Sequence, residues 1–149
     1  MSAGEFCSRD VVVTEKNASI VSAAQLMREH HVGNVIVVEQ RDGIRVPVGI
    51  VTDRDLVMEV LAKDVPVNSC TVGDIMTFDL VTANETDGIW DTLQRMRARS
   101  VRRVPVVSGT GALVGILSAD DLLELLSEEL SSLAKIIGHQ PERERTLRQ

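Results

Sequence analysis

The chain repeats itself, and that duplication constrains its fold more than any other property. Residues 11–39, VVVTEKNASIVSAAQLMREHHVGNVIVVE, return as residues 80–108, LVTANETDGIWDTLQRMRARSVRRVPVVS. Val13 matches Thr82, Ile20 matches Ile89, Gln25 matches Gln94 and Met27 matches Met96, at a spacing of 69 (96 − 27). GIVTDRDL from Gly49 returns as GILSADDL from Gly115, at a spacing of 66 (121 − 55, between the aspartates). The lost register falls between Glu39 and Pro47, where QRDGIRV carries Asp42 and Gly43, and this predicts a longer hairpin loop in the first copy. Repeated units of this size leave faces that they can bury only on one another.

Within each copy the apolar period alternates. Val11 to Thr14 is a short β-branched run, and Ile20, Ala23, Ala24, Met27 and His31 follow the three-and-four spacing of an amphipathic helix. Asn17 and Ser19 offer N-cap oxygens ahead of it. Val35 to Val38 and Pro47 to Val51 read as two further strands, and Leu56 to Ala62 as a second helix. The unit is β-α-β-β-α, with its first two strands parallel across the helix and its third folded back as a hairpin. Three strands cannot close, so each sheet is expected to bury one face under its own helices and to need the other copy. The predicted fold class is α/β (α+β): two such repeats related by a pseudo-twofold axis, followed by a longer C-terminal helix.

That last helix carries Leu122, Leu123, Leu126, Leu130, Leu133 and Ile137 on one stripe, and Gly138 is placed to cap it. The expected boundaries are an N-terminal extension over 1–10 and a first repeat over 11–65. A linker over 66–79 holds TVGDIMTFDL, the second repeat with its helix covers 80–137, and a polar tail covers 138–149.

Composition narrows the function. With 149 residues, 44% hydrophobic and only 2% aromatic, the core must be aliphatic, and Phe6, Phe78 and Trp90 cannot make a stacking platform for nucleic acid. Sixteen Lys and Arg against 22 Asp and Glu, a net charge of −6, argue against a basic nucleic-acid face. Cys7 and Cys70 lack metal-site spacing and read as idle thiols in a reducing compartment. MSAGEFCSRD resembles no signal peptide, and no apolar run approaches a membrane span, so the expectation is a cytoplasmic protein without a membrane partner. His30, His31 and His139 form no metal set, and no acid–base pair, activated nucleophile or Walker loop is found, so no catalytic residue is assigned. Met27 and Met96 read as core, while Trp90 fits either a dimer contact or the core.

The chemistry is concentrated in the repeated turn from strand to helix: Gly49, Thr52 and Asp55, then Gly115, Ser118 and Asp121. Hydroxyl and carboxylate at this spacing form a helix capping box. The same groups suit a nucleotide. Free amides at a helix start favour phosphate, a hydroxyl adds a donor, an upstream glycine lets a ligand approach the backbone, and an aspartate can accept from ribose hydroxyls.

With these turns, RRVPVVS and GDIMT in view, the chain resembles a tandem pair of CBS domains over about Val11 to Leu126. These regulatory modules are named after cystathionine β-synthase, and a pair is often called a Bateman module. The resemblance implies two clefts that bind adenosine derivatives, most often AMP, ADP or ATP, and sometimes S-adenosylmethionine or a dinucleotide such as NAD. It places Asp55 and Asp121 on ribose, and Thr52 and Ser118 on ribose or phosphate. Ile50 and Ile116 would flank adenine, with Val81 beside one cleft and Val12 beside the other. Arg54, Arg102 and Arg103 would meet phosphate, with Asp120 opposing it in the second copy. No cofactor is required. A non-catalytic sensor, homodimeric and signalling to a further protein, is the leading expectation; the alternative is a ligand-independent scaffold assembled through the C-terminal helix.

Overall fold

The computed structural model describes residues 1–148. Each copy forms a three-stranded sheet. In the first, β1 (Val13–Thr14) runs parallel to β2 (Asn34–Arg41), which pairs antiparallel with β3 (Ile44–Thr52). In the second, β4 (Ala83–Asn84), β5 (Arg103–Val107) and β6 (Leu113–Ser118) repeat that order and those directions. The crossover helices are α2 (Ile20–His30), capped by the Ser19 hydroxyl, and α5 (Ile89–Arg99). Each copy thus has the expected mixed α+β order, and both hairpins slip register at the same place, Val37/Val38 and Val106/Val107.

The hairpin loops differ in the opposite sense from the expectation. Asp42 and Gly43, with φ of 50° and 81°, close β2 and β3 in two residues, so that Arg41 pairs with Ile44 and the extra residues lengthen the ladder. Asp-Gly is suited to that turn because both central residues need positive φ. The second copy has the longer loop, from Ser108 to Ala112.

Two helices also depart from the reading. After the single turn α3 (Asp53–Asp55), the chain widens into a π-helix over Leu56–Leu61, where Ala62 N–H reaches Val57 O at 2.8 Å. The C-terminal helix α6 (Ala119–Leu147) does not stop at Gly138 but passes through it and Pro141. Gly138 lacks the positive φ of a cap. The Glu, Arg and Leu residues beyond it are good helix formers.

The segments leading into the two copies exchange places. Residues 2–8, SAGEFCS, form α1 (Ala3–Phe6) and lie on the second sheet. Ala3 N–H reaches Asp87 O at 2.8 Å and Gly4 N–H reaches Glu85 O at 2.9 Å. Ser8 and Ile116 exchange two backbone bonds of 2.8 and 2.9 Å. Residues 71–77, TVGDIMT, do the same for the first sheet after a short 3₁₀ turn, Val67–Ser69. There α4 (Val72–Ile75) sends Val72 N–H to Ala18 O at 2.9 Å and Gly73 N–H to Lys16 O at 2.8 Å, and Thr77 pairs with Ile50 at 3.0 and 2.9 Å. The segments match at the spacing of the repeat, 69 (71 − 2).

The cores record the exchange. The first joins Ala23, Met27, Val35, Val37 and Val51 to Val72 of the later segment. The second joins Ala83, Ile89, Met96, Val104, Val106 and Leu117 to Ala3, with Phe6 and Cys7 against them. Full burial of a valine such as Val72 contributes about 1.5–3 kcal/mol. Met27 and Met96 are core as expected, whereas Trp90 is 51% exposed.

Candidate functional site

Thr52 ends β3 opposite Asn34, and Ser118 ends β6 opposite Arg103, so each sheet delivers a hydroxyl to the first turn of a helix. Both have extended backbone, as an N-cap requires. Thr52 Oγ1 accepts from Asp55 N–H at 3.1 Å, and Asp55 Oδ2 accepts from Thr52 N–H at 2.9 Å. Ser118 Oγ accepts from Asp121 N–H at 3.1 Å, and Asp121 Oδ2 accepts from Ser118 N–H at 3.3 Å. Both capping boxes are complete. Among the described residues the Oδ1 of each aspartate takes no hydrogen bond, which leaves one carboxylate oxygen per copy for another partner.

The helix starts are less open than the sequence predicts. Asp53 N–H donates to Gly33 O at 3.0 Å, Arg54 N–H to Asp53 Oδ1 at 2.8 Å, and Asp55 N–H to Thr52. In the second copy Ala119 N–H donates to Arg102 O at 2.8 Å and Asp121 N–H to Ser118. The amides expected to receive phosphate are therefore largely occupied by the chain itself.

The upstream glycines also serve the chain. A Cβ on Gly115 would stand 2.5 Å from Ser8 O and 2.7 Å from Cys7 Sγ, and one on Gly49 would stand 2.4 Å from Met76 Sδ and 3.1 Å from Thr77 O. These glycines admit the exchanged lead-in segments, which corrects the expectation that they make room for a ligand. The exchange sets Thr77 beside Ile50 and Ser8 beside Ile116, both isoleucines half-buried. Val81 is 8% exposed within the second core, and Val12 packs on the first. Those two valines serve the cores.

The cations are arranged unequally. Arg54 is exposed and makes no side-chain ion pair among the described residues. Arg102 lies 3.4 Å from Asp120, both side chains more than two-thirds exposed, a pairing that solvent screens strongly. Arg103 is half-buried in β5. Beside Asp121, Phe6, Cys7, Ser8, Glu124, Leu125 and Glu128 line a cavity of about 250 Å³ with three carboxylates and no cation on its wall. Burial there pushes the Cys7 thiol up, partly offset by Arg9. No cluster of three or more metal-ligating side chains occurs among the described residues.

A duplicated turn of this kind, on two sheets that share lead-in segments, defines a paired-repeat module. The CBS domain profile matches residues 3–62 and 72–128, and the chain belongs to the CBS domain family. It is 33% identical over 125 residues to the uncharacterized protein MK0525 of Methanopyrus kandleri, covering 84% of this chain but 62% of that one, less than two thirds of its length. It is 32% identical to the CBS domain-containing protein YhcV of Bacillus subtilis, over 93% of this chain and 96% of YhcV. Among solved structures, the CBS domain pair of protein MJ0100, in complex with 5′-methylthioadenosine and S-adenosyl-L-methionine, superposes with a TM-score of 0.74 at 26% identity, over 87% of this chain and 98% of that one. A hexameric CBS-CP12 protein from bloom-forming cyanobacteria gives 0.72 at 29% identity, over 83% and 66%.

Sequence reasoning missed the lead-in helices as elements of the site. The signal was present, since Ser2, Gly4 and Glu5 stand one repeat before Thr71, Gly73 and Asp74.

Proposed function

We propose that the chain is a non-catalytic regulatory module that holds an adenosine-containing ligand at each repeated turn. The observation that carries this reading is the duplicated hydroxyl–carboxylate pair, Thr52 with Asp55 and Ser118 with Asp121, each carboxylate keeping Oδ1 unengaged, with a half-buried isoleucine two residues before each hydroxyl on the same strand. The adenosine ligands of the related MJ0100 pair support it. In this reading Asp55 and Asp121 accept from ribose hydroxyls, Thr52 and Ser118 add a contact, and Ile50 and Ile116 flank the base. The clefts differ in charge. Arg54 suits the first to AMP, ADP or ATP, with Arg102 and Arg103 able to meet a phosphate outside the second. The carboxylate wall of Asp121, Glu124 and Glu128 suits the second to an uncharged or cationic adenosine ligand such as S-adenosylmethionine. The module acts in the cytoplasm as a homodimer and signals by changing how its repeats pack.

A specific observation favours the scaffold alternative: both capping boxes close without a ligand. Thermal melting separates the readings. A ligand at a hundredfold excess over its Kd adds about 2.7 kcal/mol of stability. Asp55→Ala and Asp121→Ala, which remove the reciprocal bond of each capping box, are each expected to cost about 1 kcal/mol and to remove one binding step in calorimetry. A scaffold loses the cap energy alone, and no adenosine compound shifts its melting.

A further inference from the structure

The cavity beside Asp121 is walled by two distant parts of the chain. Asp121, Glu124, Leu125 and Glu128 come from α6, whereas Phe6, Cys7 and Ser8 come from the leading segment. That segment crosses the second copy. At one end Ala3 and Gly4 donate to Asp87 O and Glu85 O, and Met1 O accepts from Ile89 N–H at 3.2 Å, which ties the segment to the start of α5. At the other end Ser8 pairs with Ile116, two residues before the Ser118 cap. The hold is modest. The helix α1 is a single turn of four residues, and its reciprocal cap bonds between Ser2 and Glu5 are long, at 3.3 and 3.4 Å. Ala3 alone is fully buried, while Phe6 and Cys7 are half-buried against the cavity. Segments with few buried contacts open locally without unfolding the whole molecule.

We propose that residues 2–8 are a strap, and that its docking and the filling of the cleft at Asp121 are one coupled equilibrium. A ligand held by Asp121 meets the wall of Phe6, Cys7 and Ser8 only when the strap is down, so it binds the docked state more tightly and shifts the population toward it. By the same linkage, the docked strap tightens binding. The strap also holds the backbone of Glu85, Asp87 and Ile89, so occupancy of the cleft steadies the entry to α5, where Trp90 stands exposed. This rests on the reading of the Asp121 turn as an adenosine site, and it names the segment that regulates that site.

The Ala3 and Gly4 amides report on the strap from its far end, because neither residue lines the cavity and a ligand there cannot shield them directly. Their hydrogen exchange is followed by NMR on the full chain with 5′-methylthioadenosine, whose binding is measured in parallel by calorimetry. At a hundredfold excess over the Kd of the second cleft, exchange at both amides is expected to slow about a hundredfold. Asp121→Ala is expected to abolish the slowing. In Gly4→Ala the new Cβ would stand 2.8 Å from Glu85 O, which lifts the strap without altering the cavity wall. The binding step that Asp121→Ala removes is then expected to weaken by the reciprocal of the fraction still docked, about tenfold when one molecule in ten is docked, while the Asp55 step is unchanged. Binding with unchanged exchange at Ala3 and Gly4, or slowing that survives Asp121→Ala, overturns the strap and leaves the adenosine reading standing. So does an unweakened second step in a Gly4→Ala chain whose Ala3 amide has lost its protection. The absence of any binding heat overturns both. Exchange in the wild type decides the matter even where Gly4→Ala fails to fold.

Discussion

At Gly49 and Gly115 a single missing side chain decides whether the two halves can interlock. Their substitutions are not equivalent. The Cβ of Gly49→Ala meets the end of the flexible Met76 side chain, whereas that of Gly115→Ala meets the carbonyl oxygen of Ser8, which is held by its ladder to Ile116. Overpacking a closed interior costs about 1–3 kcal/mol, so Gly115→Ala is expected at the upper end and Gly49→Ala at the lower, measured by urea unfolding. Equal losses would refute the distinction. The identity and spacing of these glycines were legible in the sequence, but the object that approaches them was not. A glycine reports only that something comes close to the backbone. The Thr52–Asp55 and Ser118–Asp121 boxes were legible in full because both partners lie within four residues.

Elements with local causes followed the sequence closely. Period and candidate caps placed α2, the structure selecting Ser19 over Asn17 as its N-cap, and the β-branched runs placed the sheets, although β2 and β3 run longer than Val35–Val38 and Pro47–Val51. Helix ends were harder, because Gly138 is equally consistent with a cap and with a tolerated interior residue until φ is known. The outer part of α6 also contains Pro141, which withholds one backbone donor and costs about 3 kcal/mol in a helix interior. Pro141→Ala is therefore expected to increase far-UV helicity and to raise the temperature at which the last turns melt. An unchanged spectrum would mean that packing, rather than backbone bonding, fixes this length.

At the scale of the molecule, the two copies are one folding unit because each borrows its cover. Similarity of residues 2–8 to 71–77 shows that the segments are equivalent, but not which sheet each one caps. Equivalent segments fit equivalent sites, and only chain geometry chooses between them. Deleting residues 1–10 removes Ala3 and Phe6 from the second core and frees the Ile116 edge, although those residues belong by sequence to the first copy. The shortened chain is expected to lose cooperative melting in the second copy, followed by exchange of the Val104 and Val106 amides. Protection retained there would contradict the shared core. The exchange also imposes an order on synthesis. Ser8 is made 108 residues (116 − 8) before Ile116, an interval of roughly 5–20 s at about 5–20 residues per second. Residues 71–77, the cover of the first copy, follow its sheet closely, while residues 2–8 stay undocked until the edge at Ile116 has been translated.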